Sequence, residues 1–201
     1  MFGSRPGGKL IESLAAYGVA PADVTDVLFS HLHFDHVGWA SEEGKAVFPN
    51  AVYRCDRRDW DFWLESPPET FTGAAARMAP LQRELLEPVR ERFEFWSADG
   101  PLLPGLNVLH TPGHTPGSAS MVVSSGAQRA LLLGDAVHCP IELIESEWGG
   151  LGDVDPDLAR RTRNALAREI EGKDVPTAAS HFPGLQFGRL IAAEGRRRWV
   201  V

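Results

Sequence analysis

Ser30-His31-Leu32-His33-Phe34-Asp35-His36-Val37-Gly38-Trp39 decides how the rest of this chain is read. Three histidines and a carboxylate fall within six residues of it, directly after residues 24–29 (Val-Thr-Asp-Val-Leu-Phe). β-Branched and large apolar residues dominate that preceding run, which predicts a strand. In an extended segment His31 and His33 point to the same side, because strand side chains alternate. Asp35 and His36 are then expected to turn back toward that side as the chain leaves the strand. Neutral imidazole and carboxylate are the ligands that a borderline cation such as zinc takes. A lone histidine on an apolar strand is more often a hydrogen-bonded core residue. Three histidines and an aspartate at this spacing predict a metal site.

Working outward, three more strand ends carry ligand-type residues. His114 lies in Thr111-Pro112-Gly113-His114-Thr115-Pro116-Gly117, after an expected strand at 106–110. Its prolines and glycines fix the backbone and let it pass close to a ligand. Asp135 follows Leu131-Leu132-Leu133-Gly134, where a buried carboxylate is costly unless paired or metal-bound. His181 ends the small-residue run Ala178-Ala179-Ser180. Each alone reads as a cap or a turn residue. Strand ends of one sheet converge, so the four together predict one site at the carboxyl edge of an open sheet.

The 201 residues, 43% apolar and 23% charged, suit a single globular domain, residues 1–201, of the α/β or mixed α+β class. A net charge of −7 disfavours nucleic acid as a partner. The basic run Arg196-Arg197-Arg198 reads as a solvated edge. Two cysteines without CxxC spacing, Cys55 and Cys139, fit a reducing, cytoplasmic compartment. No apolar run approaches the ~18 residues of a membrane span, and no signal peptide is read.

Helices are expected at 9–17, closed by Gly18, at 56–64, at 74–92 and at 157–171, the last opening after Asp155-Pro156 and closing on Gly172. Pro80 and Pro88 should end or kink the third. Further strands are expected at 51–54, 93–96, 118–124, 129–133, 175–180, near 186–192 and at 197–201. Residues 1–8, 66–73 and 145–155 read as loops.

The order His-x-His-x-Asp-His, Gly-His-Thr-Pro-Gly, Leu-Gly-Asp, Ser-His resembles the metallo-β-lactamase-fold hydrolase superfamily, including its N-acyl homoserine lactonase-like and phosphotriesterase-like branch. The resemblance covers residues from about 24 to 185. It implies an αββα sandwich with a dinuclear metal site at one edge. Carried over by motif, His31, His33 and His114 hold the first metal, and Asp35, His36 and His181 the second. Asp135 bridges them. Two neighbouring cations need such an anionic bridge, and together they bring a bound water toward neutral pKa. Zinc is expected, with manganese or iron as alternatives. A metal-bound hydroxide would attack the substrate while Asp35 orients it and passes a proton to the leaving group.

Two departures stand out. Only 30 residues precede the first histidine motif, where these folds usually begin with several strands, so the domain is expected to be N-terminally shortened, a fragment of a longer protein or a chain without that sheet. An exposed sheet edge would then favour a homodimer. Relatives that open N-acyl homoserine lactones also have a tyrosine three positions after the bridging aspartate. Here that residue is His138, expected either to reach a substrate oxygen or to hydrogen-bond a metal ligand. Trp39, Trp60, Trp63, Phe71 and Trp148 are candidates to line a pocket, with most expected in the core.

The function expected is hydrolysis of a small ester or lactone. Phosphotriester hydrolysis, a persulfide-dioxygenase-like mononuclear iron enzyme and a non-catalytic scaffold are the alternatives. Glyoxalase-II-like thioesterase activity is disfavoured because no basic helical domain follows His181, and nuclease activity by the acidic charge.

Overall fold

The computed structural model describes residues 8–150 and 152–201. All of the loop read over residues 1–8 except Gly8 lies outside them. The chain forms two compact units: Met1–Cys55 with Trp60–Phe95, and Asp56–Asp59 with Trp96–Val201.

The first unit opens with α1 (Leu10–Ala16), whose Ile11 and Leu14 lean on the core. Gly18, at φ 74°, closes it as its spacing predicts, its N–H reaching the Ala15 carbonyl. Then come β1 (Asp26–Leu28), α2 (Phe34–Val37), the hairpin β2 (Ser41–Glu42) and β3 (Lys45–Ala46), and β4 (Val52–Asp56). The expected helix at 56–64 is α3 (Arg57–Trp60), whose first three residues belong to the second unit, running into a π-helical turn, Asp61–Glu65. Next are α4 (Gly73–Leu86), a 3-10 stretch (Glu87–Arg92) and β5 (Phe93–Trp96). The sheet order is β1-β4-β5, with β1 parallel to β4 and Val27 opposite Tyr53. β1 is shorter than the six residues expected, although its pairing reaches one residue further at each end through Thr25 O and Phe29 N.

Pro80 neither ends nor interrupts α4. The helix passes through it with the proline exposed, while Ala79, Gln82 and Leu86 are buried on the other face. Burying that face offsets the roughly 3 kcal/mol that an interior proline costs. Trp60, Trp63 and Phe71 are core residues, whereas Trp148 is exposed and Trp39 half-buried. Leu32 and Val37, on either side of the histidine cluster, are fully buried, each contributing about 1.5–3 kcal/mol.

The second unit holds β6 (Gly100–Leu103), β7 (Leu106–His110), β8 (Ala119–Ser125), β9 (Gln128–Leu132), α5 (Ile141–Ile144), α6 (Pro156–Ile170), β10 (Thr177–Ala178), β11 (Arg189–Ala193) and β12 (Arg196–Val200). Its sheet runs β10-β9-β8-β7-β6, with β10 parallel to β9 and the other pairs antiparallel. β6 was not expected. Pro101 removes a donor, which an edge strand tolerates, and a bulge lies between Pro101 and Leu103.

In α6 the Asp155 Oδ1 accepts from Leu158 N at 2.9 Å, Pro156 opens the first turn and Gly172 follows at φ 69°. Ala159, Arg163, Leu166, Ala167 and Ile170 form its buried stripe. Leu131, Leu133, Val137, Leu143, Phe182 and Leu190 pack in the same core. The arginine run lies on β12 and is solvated, with Arg197 paired to Glu171 and Arg198 to Glu194. Among the described residues no helix is long and apolar enough to cross a membrane.

Candidate metal centre

Each unit gathers its own set of donors. In the first, the chain leaves β1 and enters α2 through His33, whose carbonyl accepts from His36 N and Val37 N. That tight turn brings His36 back over His31, their rings 4.1 Å apart, as expected of a chain that turns back on leaving the strand. His31 Nε2 lies 3.1 Å from His33 Nδ1, and both rings are buried. The edge of His33 meets Trp63 at 5.3 Å, so an aromatic core residue fixes its orientation. Asp35 is exposed in the first turn of α2, and its Oδ2 lies 3.7 Å from His36 Nε2.

In the second unit Asp135 sits in a 3-10 turn after β9, buried, behind Gly134 at φ 57°. Three imidazoles turn Nε2 toward its Oδ2: His181 at 3.1 Å, His138 at 3.5 Å and His114 at 3.6 Å. Ligand atoms of His114, Asp135 and His138 lie within 4.8 Å of one another. Two imidazoles and a carboxylate so arranged are a donor set that fits a divalent ion.

The loop carrying His114 is clamped from several sides. Asp59 Oδ1 accepts from Gly117 N at 2.6 Å. His110, at the end of β7, donates from Nε2 to the Pro116 carbonyl at 2.8 Å and accepts from Arg58 Nη1 at 3.0 Å. Arg58 is itself held by both oxygens of buried Asp56. On the other side Val154 N and Asp155 N donate to the His114 and Gly113 carbonyls, and Thr162 Oγ1 donates to Pro112 O. A β-carbon at Gly113 would lie 2.2 Å from Ala159 N, so only glycine permits this approach.

Sequence reasoning missed Asp153, Glu142 and His110. Asp153 Oδ1 is 3.1 Å from His114 Nδ1, and its Oδ2 is 3.0 Å from Arg163 Nη1, all three residues having buried side chains. Burial would raise the Asp153 pKa, but His114 and Arg163 outweigh it and hold the carboxyl below its ordinary value. Glu142 accepts from the His138 amide at 2.8 Å, with its Oε2 3.8 Å from His138 Nδ1. Burial opposes ionisation of this pair also. The His138 amide and the nearby imidazole still lower the Glu142 pKa, and the Glu142 and Asp135 carboxylates raise that of His138. Among the acidic residues of 145–155 no spacing marks out Asp153. Glu142, four residues after His138, carries the weak helical signal of an i,i+4 pair.

Strand ends rich in imidazole and carboxylate, on mixed α/β units, define a metal-site protein. The chain belongs to the metallo-beta-lactamase superfamily, whose family model matches residues 2–181, and it has that fold. It is 27% identical over 168 residues to N-acyl homoserine lactonase AiiA of Bacillus thuringiensis subsp. kurstaki, a match covering 84% of this chain and 59% of the relative. With N-acyl homoserine lactonase AttM of Agrobacterium fabrum it shares 29% identity over 179 residues, 86% of this chain and 64% of that one. Among solved structures, AidC, a dizinc quorum-quenching lactonase in complex with a product, matches with a TM-score of 0.87 at 27% identity, over 99% of this chain and 71% of that one. The hydrolase AbOPH matches with a TM-score of 0.88 at 28% identity, with the same coverage. The chain thus spans about 59% of the length of the lactonase AiiA.

Proposed function

We propose that this chain is a dinuclear metal-dependent hydrolase acting on a small ester or lactone. The observation that carries the reading is the convergence of three imidazole Nε2 atoms on one oxygen of buried Asp135. The second donor set, His31, His33, Asp35 and His36, supplies the other half. His31, His33 and His114 would hold one ion, Asp35, His36 and His181 the other, with Asp135 common to both. Zinc suits the donors best, and the dizinc relative supports it. When bound, such a pair activates water at neutral pH and polarises a carbonyl oxygen.

The chain's own residues do the rest. Asp35, exposed at the start of α2, orients the attacking water and passes its proton to the leaving alkoxide. His138 has its Nδ1 on the Glu142 side and its Nε2 on the Asp135 side, so Nε2 is the atom that would meet a substrate oxygen beside the ions. Lactonase relatives support an uncharged or weakly anionic acyl substrate.

Elemental analysis of the purified protein, then assays on lactones, aryl esters, thioesters and phosphotriesters, test this. Two zinc-type ions per chain and turnover of esters or lactones are expected, with both ions depleted in Asp135→Ala. Full metal content in that variant refutes the shared ligand. Cleavage of phosphotriesters but of no carboxylic ester refutes the substrate class, and a single iron refutes the dinuclear centre.

A further inference from the structure

The loop that carries His114 is braced on several sides, and the bracing reaches the ring. Its Nδ1 lies 3.1 Å from Asp153 Oδ1, while its Nε2 faces Asp135 at 3.6 Å. An ionised carboxylate only accepts, so the nitrogen facing Asp153 carries the hydrogen. The other nitrogen, Nε2, is then the unprotonated one. Asp153 is in turn fixed: Arg163 Nη1 meets its second oxygen at 3.0 Å, from the buried stripe of α6. Gly149 and Gly150 pass close to this arrangement. A β-carbon at Gly149 would stand 2.8 Å from Arg163 Nη2, and one at Gly150 would stand 2.8 Å from His138 Nδ1.

A salt bridge serving stability alone needs no third member. Here the carboxylate divides its oxygens between a buried guanidinium and the imidazole. Burying an arginine and an aspartate is hard to justify on stability, since a well-packed apolar pair often does as well. The geometry makes sense if the imidazole must be held in one tautomer.

We propose that Asp153, anchored by Arg163, is a positioning residue that accepts the Nδ1–H of His114 and so presents its Nε2 lone pair to the metal. The proposal rests on the reading of His114 as a metal ligand. Partners of this kind change metal affinity by about 10–100-fold when removed.

Asp153→Ala alone leaves a buried, unpaired guanidinium and would confuse folding with positioning. The test therefore uses two double variants in the full chain, Asp153→Ala/Arg163→Met and Asp153→Asn/Arg163→Met. Both remove the arginine, but only the asparagine keeps an oxygen that can accept from Nδ1–H. Thermal unfolding checks the fold, nitrogen NMR of the metal-free protein reports the His114 tautomer, and chelator competition reports zinc affinity.

The expected result is an Nδ1–H tautomer in the wild type and in the asparagine variant. The alanine variant should lose that tautomer and bind zinc about 10–100-fold more weakly, with affinity largely recovered in the asparagine variant. An alanine variant that keeps the tautomer and wild-type affinity overturns the proposal, and so does equal loss in both variants. If the wild type binds no zinc, the metal reading fails, while the tautomer measurement still decides the role of Asp153.

Discussion

Replacing Gly113 with alanine tests how tightly the His114 loop is bound to α6. At φ 126° the backbone is in a region that L residues rarely adopt, a strain of about 1–3 kcal/mol. The new methyl group would lie 2.2 Å from Ala159 N and 2.3 Å from its Cα, backbone atoms that cannot swing aside. Overpacking of that kind costs about 1–3 kcal/mol. If the loop lifts to relieve it, the bonds from Asp155 N to Gly113 O and from Val154 N to His114 O are lost, at about 1 kcal/mol each. Strain and relief trade against one another, so a net loss of about 3–5 kcal/mol is expected. At about 2–4 °C per kcal/mol for a chain of this size, Tm should fall by about 6–20 °C. Gly126→Ala is the control: φ is 58° and nothing lies within 4 Å of the new carbon, so only about 1–2 kcal/mol of left-handed strain applies. Urea unfolding of the two variants side by side gives the comparison. A Gly113→Ala protein no less stable than Gly126→Ala would refute the close approach of loop and helix.

Asp155→Ala removes the acceptor for Leu158 N and should cost about 1 kcal/mol in chemical unfolding. Tyr53→Phe deletes a buried hydroxyl that donates to Ala40 O at 3.1 Å and accepts from Phe48 N at 3.3 Å; about 1 kcal/mol should be lost at neutral pH. Burial raises the Tyr53 pKa above 10.0, against the lowering effects of the Phe48 amide and Arg92. The unfolded chain therefore releases this proton first, and stability present below pH 10 is lost as pH rises toward the folded value. The phenylalanine variant should lack that alkaline loss, and a matching decline in both proteins would show that Tyr53 does not cause it.

Local chemistry explains which parts of the molecule could be read in advance. The His31–His36 cluster was legible because its four donors fall within six residues and one tight turn at His33 folds them together. Helix α6 was legible because its cap, opening proline and closing glycine are all local signals. Pro80 misled because its cost is local while the burial that outweighs it is tertiary. β6 was hidden by Pro101, which an edge position tolerates, and edge position depends on the whole sheet. Asp153 was invisible for a related reason. Its partners, His114 and Arg163, lie on other segments, and nothing in Gly-Asp-Val-Asp-Pro tells the residue that reaches a histidine from the one that caps a helix.

The four residues Asp56–Asp59 belong to the second unit although the chain on both sides of them belongs to the first. Synthesis turns this into a matter of timing. Asp59 is made 58 residues before Gly117, whose amide it accepts. At roughly 5–20 residues per second, about 3–12 s pass before that partner leaves the ribosome. Arg58 waits almost as long for His110. The first unit can begin to collapse during this interval, but the turn holding His114 cannot be clamped. The order of translation thus delivers the partners of β1 and of His33, at residues 52–63, well before those of this loop.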